Sequence, residues 1–232
     1  MSREFMMKIA VLGTGMVGQA LARRLTDLGH GVTVGTRDVR ATMARTEPDA
    51  MGNPPYASWA QAHPQVRLAT FSDATADAEL VVNATSGSAS MQALQAAGHD
   101  HLAGKVLLDI ANPLDFSQGF PPSLFVSNTE SLAEQIQGAF PDVKVVKALN
   151  TMNAFLMVDP RQLADGDHSV FVSGNDTEAK QIVSGLLESF GHTDIIDLGD
   201  ITTARGSEMM LPIWTRLYGV LGVPLFQFKV VR

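Results

Sequence analysis

The sequence predicts an α/β fold built on a doubly wound parallel sheet. Three observations predict it: short apolar runs without polar alternation recur along the chain, helix-patterned segments lie between them, and a glycine-punctuated turn joins the first run to the first helix. Strands covered on both faces read in this continuous way, whereas half-exposed strands alternate.

Met7 to Leu12 (MKIAVL) is the first strand. Val17, Leu21, Leu25 and Leu28 then mark one face of a helix that Gly29 stops. Val32 to Gly35 is the second strand, and Asp38 opens a short helix that fades before Pro48. Pro48, Gly52, Pro54, Pro55 and Pro64 make residues 46–64 a surface insertion, mostly loop, with one helical turn around Trp59. Val66 to Phe71 gives a third strand, Ser72 caps a brief helix, and Leu80 to Ala84 and Val106 to Ile110 give two more. Residues 111–128 form a second Pro-rich excursion. Thr129 then caps a helix (ESLAEQIQGAF) leading to a sixth strand, Val143 to Ala148. Val170 to Ser173 and Thr193 to Asp197 add two strands around a helix from Thr177 to Phe190, and a last helix runs from about Ala204 to Leu221. Residues 1–150 are expected to form the main domain. Residues 151–232 form a small C-terminal α/β lobe that continues the sheet and ends in a helix.

Composition narrows the function. A net charge of -7 leaves no basic surface for nucleic acid. The chain has no Cys, which excludes thiolate nucleophiles, zinc-thiolate sites and disulfides. Arg3 and Lys8, ahead of an apolar run ending in Ala20-Leu21-Ala22, imitate a secretory signal. Glu4 and three regularly spaced glycines fit a strand, turn and helix better, and Arg216 breaks the best membrane-span candidate. A soluble, cytoplasmic protein is expected.

Gly13-Thr14-Gly15-Met16-Val17-Gly18 matches GxGxxG between that first strand and its helix. The first glycine permits the turn, the second lets backbone approach a pyrophosphate, and the third lets helix pack on sheet, which is the logic of a Rossmann dinucleotide site. Such phosphates sit at a positive helix terminus. About 20 residues on, NAD enzymes usually place an acidic residue on the ribose 2′-hydroxyl. Here the second strand ends Gly35-Thr36-Arg37, whose hydroxyl and guanidinium suit a 2′-phosphate, so NADP(H) is the expected cofactor. Arg40 is a further candidate, and Asp38 serves as a helix cap.

Asn83, Ala84 and Thr85 follow the fourth strand, Ala111, Asn112 and Pro113 the fifth, and Ala148 and Asn150 the sixth. All lie at carboxyl ends of strands, where open α/β sheets bind ligands. Thr85, Asn112 and Asn150 are the residues expected to orient reacting rings. Lys147 reads as a snorkelling lysine. His99 and His101 flank Asp100 in a solvated turn, and no metal is predicted.

Four segments, GTGMVG, VGTRD, KALNTMN and DLGDITTARGSEMMLPIW, together resemble the NADPH:deazaflavin (coenzyme F420) oxidoreductase family. They are also similar to the cytosolic NADPH-oxidising domain of the STEAP metalloreductases. The resemblance implies a C-terminal lobe that closes the nicotinamide cleft, often across a dimer. It puts the phosphate loop on Gly13, Thr14 and Gly15 and the 2′-phosphate pair on Thr36 and Arg37. Met16 and Asn150 stand where the deazaflavin reductases carry Asn and His.

The leading reading is hydride transfer between NADPH and a flat tricyclic acceptor, the deazaflavin coenzyme or a flavin (FMN or FAD). Positioning alone suffices for such chemistry, so no acid or base is required. Arg205 and Arg216 are candidates for an anionic acceptor tail, and Met152 and Leu211 for stacking on a flavin. Reduction of a small carbonyl or imine, and an NADP-sensing module without turnover, are the alternatives. The apolar breadth of the last helix predicts a homodimer.

Overall fold

A computed structural model describes residues 6–48 and 52–232. Arg3 and Glu4 of the signal-like segment, and residues 49–51 of the insertion, lie outside it.

In chain order the main elements are β1 (Lys8–Leu12), α1 (Met16–Asp27), β2 (Gly31–Thr36), α2 (Val39–Ala44), α3 (Tyr56–Ala62), β3 (Arg67–Thr70), α4 (Phe71–Ala76), β4 (Leu80–Asn83), α5 (Gly87–Ala97), α6 (His99–Leu102) and β5 (Val106–Asp109). A small hairpin, β6 (Leu114–Asp115) and β7 (Ser123–Leu124), precedes α7 (Leu132–Ala139), β8 (Lys144–Ala148), α8 (Ala154–Val158), β9 (Ser169–Gly174), α9 (Thr177–Phe190), β10 (Asp194–Gly199), α10 (Ala204–Met209) and α11 (Leu211–Leu221). Eight strands form one sheet in the order β10-β9-β8-β5-β4-β1-β2-β3. The order reverses between β1 and β4, the switch point at which doubly wound sheets open a ligand crevice. Among the described residues no helix is long and apolar enough to cross a membrane.

Both faces of the sheet are covered. Ile9 and Val11 of β1 join Leu21 and Leu25 of α1 and Val183 and Leu187 of α9 in one buried cluster. Ala10 and Leu12 of the same strand face Phe71 of α4, Leu94 of α5 and Ile136 of α7 in the other. This two-sided burial is why the strands lack polar alternation. Each fully buried Leu or Val stabilises by roughly 1.5–3 kcal/mol, so a charge at Leu187 would break the packing of α9.

Several local expectations are corrected. The sheet is not wholly parallel, because β9 pairs antiparallel with β8, matching Val146 with Gly174 and Ala148 with Val172. β10 then runs parallel to β9. An apolar run reads alike in both directions, so strand sense was invisible in it. The helix after β3 is capped by Thr70, whose Oγ1 accepts from the Asp73 amide at 3.1 Å, and not by Ser72. Ser131, not Thr129, caps α7: its hydroxyl donates to Glu134 at 2.8 Å while accepting that residue's amide at 3.1 Å. His99 to His101 is helical rather than looped, with His99 stacked on Phe140 and His101 beside Ser72. The segment around Trp59 is a seven-residue helix. The final helix is two, parted at Met210, since Pro212 lacks the amide needed to continue α10 and suits the first turn of α11.

Candidate functional site

The turn after β1 is built by close backbone approach. Gly13 has φ +121°, and a Cβ on it would stand 2.5 Å from the Ala84 carbonyl oxygen. A Cβ on Gly18 would stand 2.1 Å from the Gly13 carbonyl oxygen, so α1 can meet the strand end only with glycine at both positions. Gly15 differs, because a Cβ there would meet no protein atom within 4 Å. It is the N-cap of α1 and offers no side chain to the first-turn amides. Open space beside free amides at the positive end of a 12-residue helix fits a pyrophosphate.

A cleft of about 530 Å³ opens there, lined by Gly13, Thr14, Gly15, Thr36, Arg37 and Thr85 among others. Arg45 lines it too and went unnoticed in the sequence; with Ala41 and Thr42 it occupies the cleft-facing side of the segment after β2, a pattern the helical spacing carried. Arg40 is exposed and absent from the lining. Asp38 caps α2 by accepting the Ala41 amide at 2.8 Å. Thr36 is buried against Thr42, their hydroxyls 2.8 Å apart. Met16 turns away, into a groove of about 510 Å³ between α1, α8 and the insertion.

The loops after β4, β5 and β8 are tied together beneath the cleft. Asn112 donates through Nδ2 to the Asn150 carbonyl at 2.8 Å, and Asn150 donates through its own Nδ2 to Asn112 Oδ1 at 3.0 Å. Gly87 permits the close contact of the first two loops, as a Cβ would lie 2.0 Å from the Asn112 carbonyl oxygen. Leu149, buried with φ +62°, is held in the left-handed region between Ala148 and Asn150. Ala111, Pro113, Ala148 and Asn150 are buried and do not line the cleft; Val17 and Gly18 pack inward as well. Asn83 is also fully buried.

Lys147 is not a snorkelling residue. Its amine has no solvent exposure and lies 2.8 Å from Asp109 and 2.9 Å from Glu208, with the Ala111 carbonyl as third acceptor. Burial pulls its pKa down, but the two carboxylates outweigh this and hold it above the ordinary 10.5. Glu208 in turn accepts the amides of Leu132 at 2.8 Å and Ala133 at 3.1 Å, capping α7. Arg205 pairs with Glu134, Nε to Oε2 at 2.8 Å, which occupies the guanidinium expected to meet an acceptor tail. Arg216 is exposed on α11. Met152 and Leu211, expected to stack on a flavin, are 5% exposed and belong to the interior.

The architecture agrees with that of known proteins. A crystal structure from Arthrobacter sp. FB24, provisionally described as an F420-dependent NADP reductase, is 64% identical over 97% of this chain and 100% of that one, with a TM-score of 0.94. The chain belongs to the coenzyme F420-dependent NADP oxidoreductases. The family pattern described as "NADP oxidoreductase coenzyme F420-dependent" matches residues 8–113. The F420-dependent NADP reductase of Methanothermobacter marburgensis is 27% identical over 91% of the chain and 92% of its own length. Metalloreductase STEAP3 of Rattus norvegicus is 29% identical over 89% of the chain, which spans 38% of that protein. Membership makes the protein an NADP-dependent oxidoreductase.

Proposed function

We propose that the protein moves a hydride between NADPH and a flat tricyclic acceptor, the deazaflavin coenzyme in first place and a flavin in second. The observation that carries this reading is the cleft running from Arg37 and Arg45, across the open face of Gly15, to Thr85. Bound nicotinamide supplies the hydride. The chain's part is to bind and orient: backbone at Gly13 to Gly15 for the pyrophosphate, Arg37 and Arg45 for the 2′-phosphate, Thr85 for the nucleotide beyond it. The Asn112–Asn150 pair fixes the loops on which the rings rest. Residues 1–150 would form the NADP-binding domain, and residues 151–232 the lobe that closes the nicotinamide end.

The test is to mix enzyme and NADPH anaerobically with the deazaflavin coenzyme, FMN or riboflavin and follow bleaching of each acceptor. Reduction of the deazaflavin supports the reading. Bleaching of flavins alone transfers the assignment to flavin reduction, and bleaching of neither removes hydride transfer to a ring system. The same reading includes a homodimer through α11, where Ile213 is 50% and Leu221 51% exposed. Light scattering that returns the 24.8 kDa monomer at every concentration would remove it.

A further inference from the structure

A hydrogen-bonded chain connects the buried amine of Lys147 to the cleft, with Ser90 beside its last two links. Lys147 Nζ can only donate, and Asp109 Oδ2 accepts it at 2.8 Å. Asp109, a carboxylate in this ion pair, can only accept, so Asn83 must aim its Nδ2 at Oδ1, 2.8 Å away. That orientation leaves Asn83 Oδ1 facing Thr85, whose hydroxyl therefore donates to it at 2.7 Å. The second Nδ2 hydrogen of Asn83 goes to Ser90 Oγ at 3.0 Å, and Ser90 donates its own hydrogen to the Ser86 carbonyl at 3.2 Å. The Thr85 hydroxyl proton thus has two inward acceptors, Asn83 Oδ1 at 2.7 Å and Ser90 Oγ at 3.0 Å. Toward the cleft, Thr85 presents lone pairs alone.

We propose that Lys147, Asp109 and Asn83 are positioning residues that hold Thr85 as an obligate hydrogen-bond acceptor for an O–H or N–H group of the bound nucleotide. The ligand groups with that chemistry are ribose hydroxyls and the carboxamide amine, whereas phosphate oxygens are refused. This rests on the reading of the cleft as the NADP site. It also explains why a charged lysine is kept in the core: a neutral partner would let the Asp109–Asn83–Thr85 chain run in either sense.

One atom reverses the chain. In Asp109→Asn the new amide keeps its oxygen on Lys147 and turns its NH₂ toward Asn83, which must flip and donate to Thr85. Once Ser90→Ala has removed the other inward acceptor, 3.0 Å from the Thr85 hydroxyl, that hydroxyl points its proton at the ligand's donor. Lys147 retains Glu208 in a one-to-one pair, so the fold survives. NADPH affinity is measured by fluorescence titration for wild type and, in a Ser90→Ala background that should itself bind like wild type, for Asp109→Asn, Thr85→Val, Thr85→Ser and the Asp109→Asn/Thr85→Val double variant, with thermal melts alongside. Each of Asp109→Asn and Thr85→Val should weaken NADPH about tenfold, as expected when a hydrogen-bond partner is left unmatched. The double variant should be no weaker than Asp109→Asn alone, and Thr85→Ser should bind like wild type. A double variant weakened about a hundredfold, the product of two independent losses, overturns the proposal, as does Asp109→Asn with a lower melting temperature and unchanged affinity. If Asp109→Asn does not fold, Asn83→Leu severs the same link and is read against Thr85→Val in the same way. A wild type that binds no NADPH would sink the cofactor reading itself; wild-type binding with indifferent variants sinks only the acceptor role of Thr85.

Discussion

Lys147→Met removes the charge from the buried cluster while keeping most of the side chain's volume. The consequence can be sized from its surroundings. Lys147 and Asp109 have no side-chain exposure and Glu208 has 2%, so solvent cannot screen the carboxylates left behind. Glu208 keeps the two α7 amides, but Asp109 keeps only Asn83 and the weaker Ala111 amide contact at 3.3 Å. Both carboxylates then lie in the interior with no cation between them. Breaking a buried pair in this way typically costs roughly 3–5 kcal/mol, which corresponds to a fall in melting temperature of about 6–20 °C for a chain of this size. Urea denaturation followed by circular dichroism measures it. Wild-type Lys147, held above its ordinary 10.5, contributes fully below that value and loses its contribution only as pH rises through the higher folded one. A deficit below about 1 kcal/mol would refute the reasoning.

Arg37→Glu should remove roughly 1.5–3 kcal/mol of 2′-phosphate binding, about ten- to hundredfold, and turn the preference from NADPH toward NADH in paired titrations. Gly18→Ala drives a methyl group to within 2.1 Å of the Gly13 carbonyl oxygen, so NADPH binding should be lost and stability should fall by roughly 1–3 kcal/mol in a thermal melt. His192 is buried, its Nε2 3.0 Å from the Met157 carbonyl, and burial first and neighbouring His168 second lower its pKa below the ordinary 6.5. Its stabilising contribution is therefore complete above 6.5 and is lost as pH falls from there through the lower folded value; in His192→Gln the stability profile should flatten across that window.

What the sequence made legible was local. The helix from Thr177 to Phe190 has the expected bounds, with Asp176 capping its start and Gly191 in the left-handed region at its end. The strands and the glycine turn were equally readable, because apolar period and turn chemistry act over a few residues. Strand sense was not, since β9 owes its reversal to the connection that precedes it and not to its own residues. The cleft's two ends were visible in Gly13 to Gly15 and in Arg37, whereas Arg45 needed the orientation of the segment after β2. The buried cluster was hidden for a different reason. Lys147 and Asp109 lie 38 positions apart and Glu208 lies 76 from the amide it caps, so only the fold reveals that the lysine's apolar neighbours enclose two carboxylates.

Glu208 also gives the molecule a natural reporter. Amides in the first turn of a helix ordinarily exchange their hydrogens with solvent freely, having no intrahelical partner. Leu132 and Ala133 are instead bonded to a carboxylate carried by the last quarter of the chain and are themselves buried. Their exchange therefore requires α10 to lift from the sheet. Slow deuterium uptake at these two positions, set beside that of central β1, would distinguish a C-terminal segment that opens alone from one that opens only when the whole sheet does.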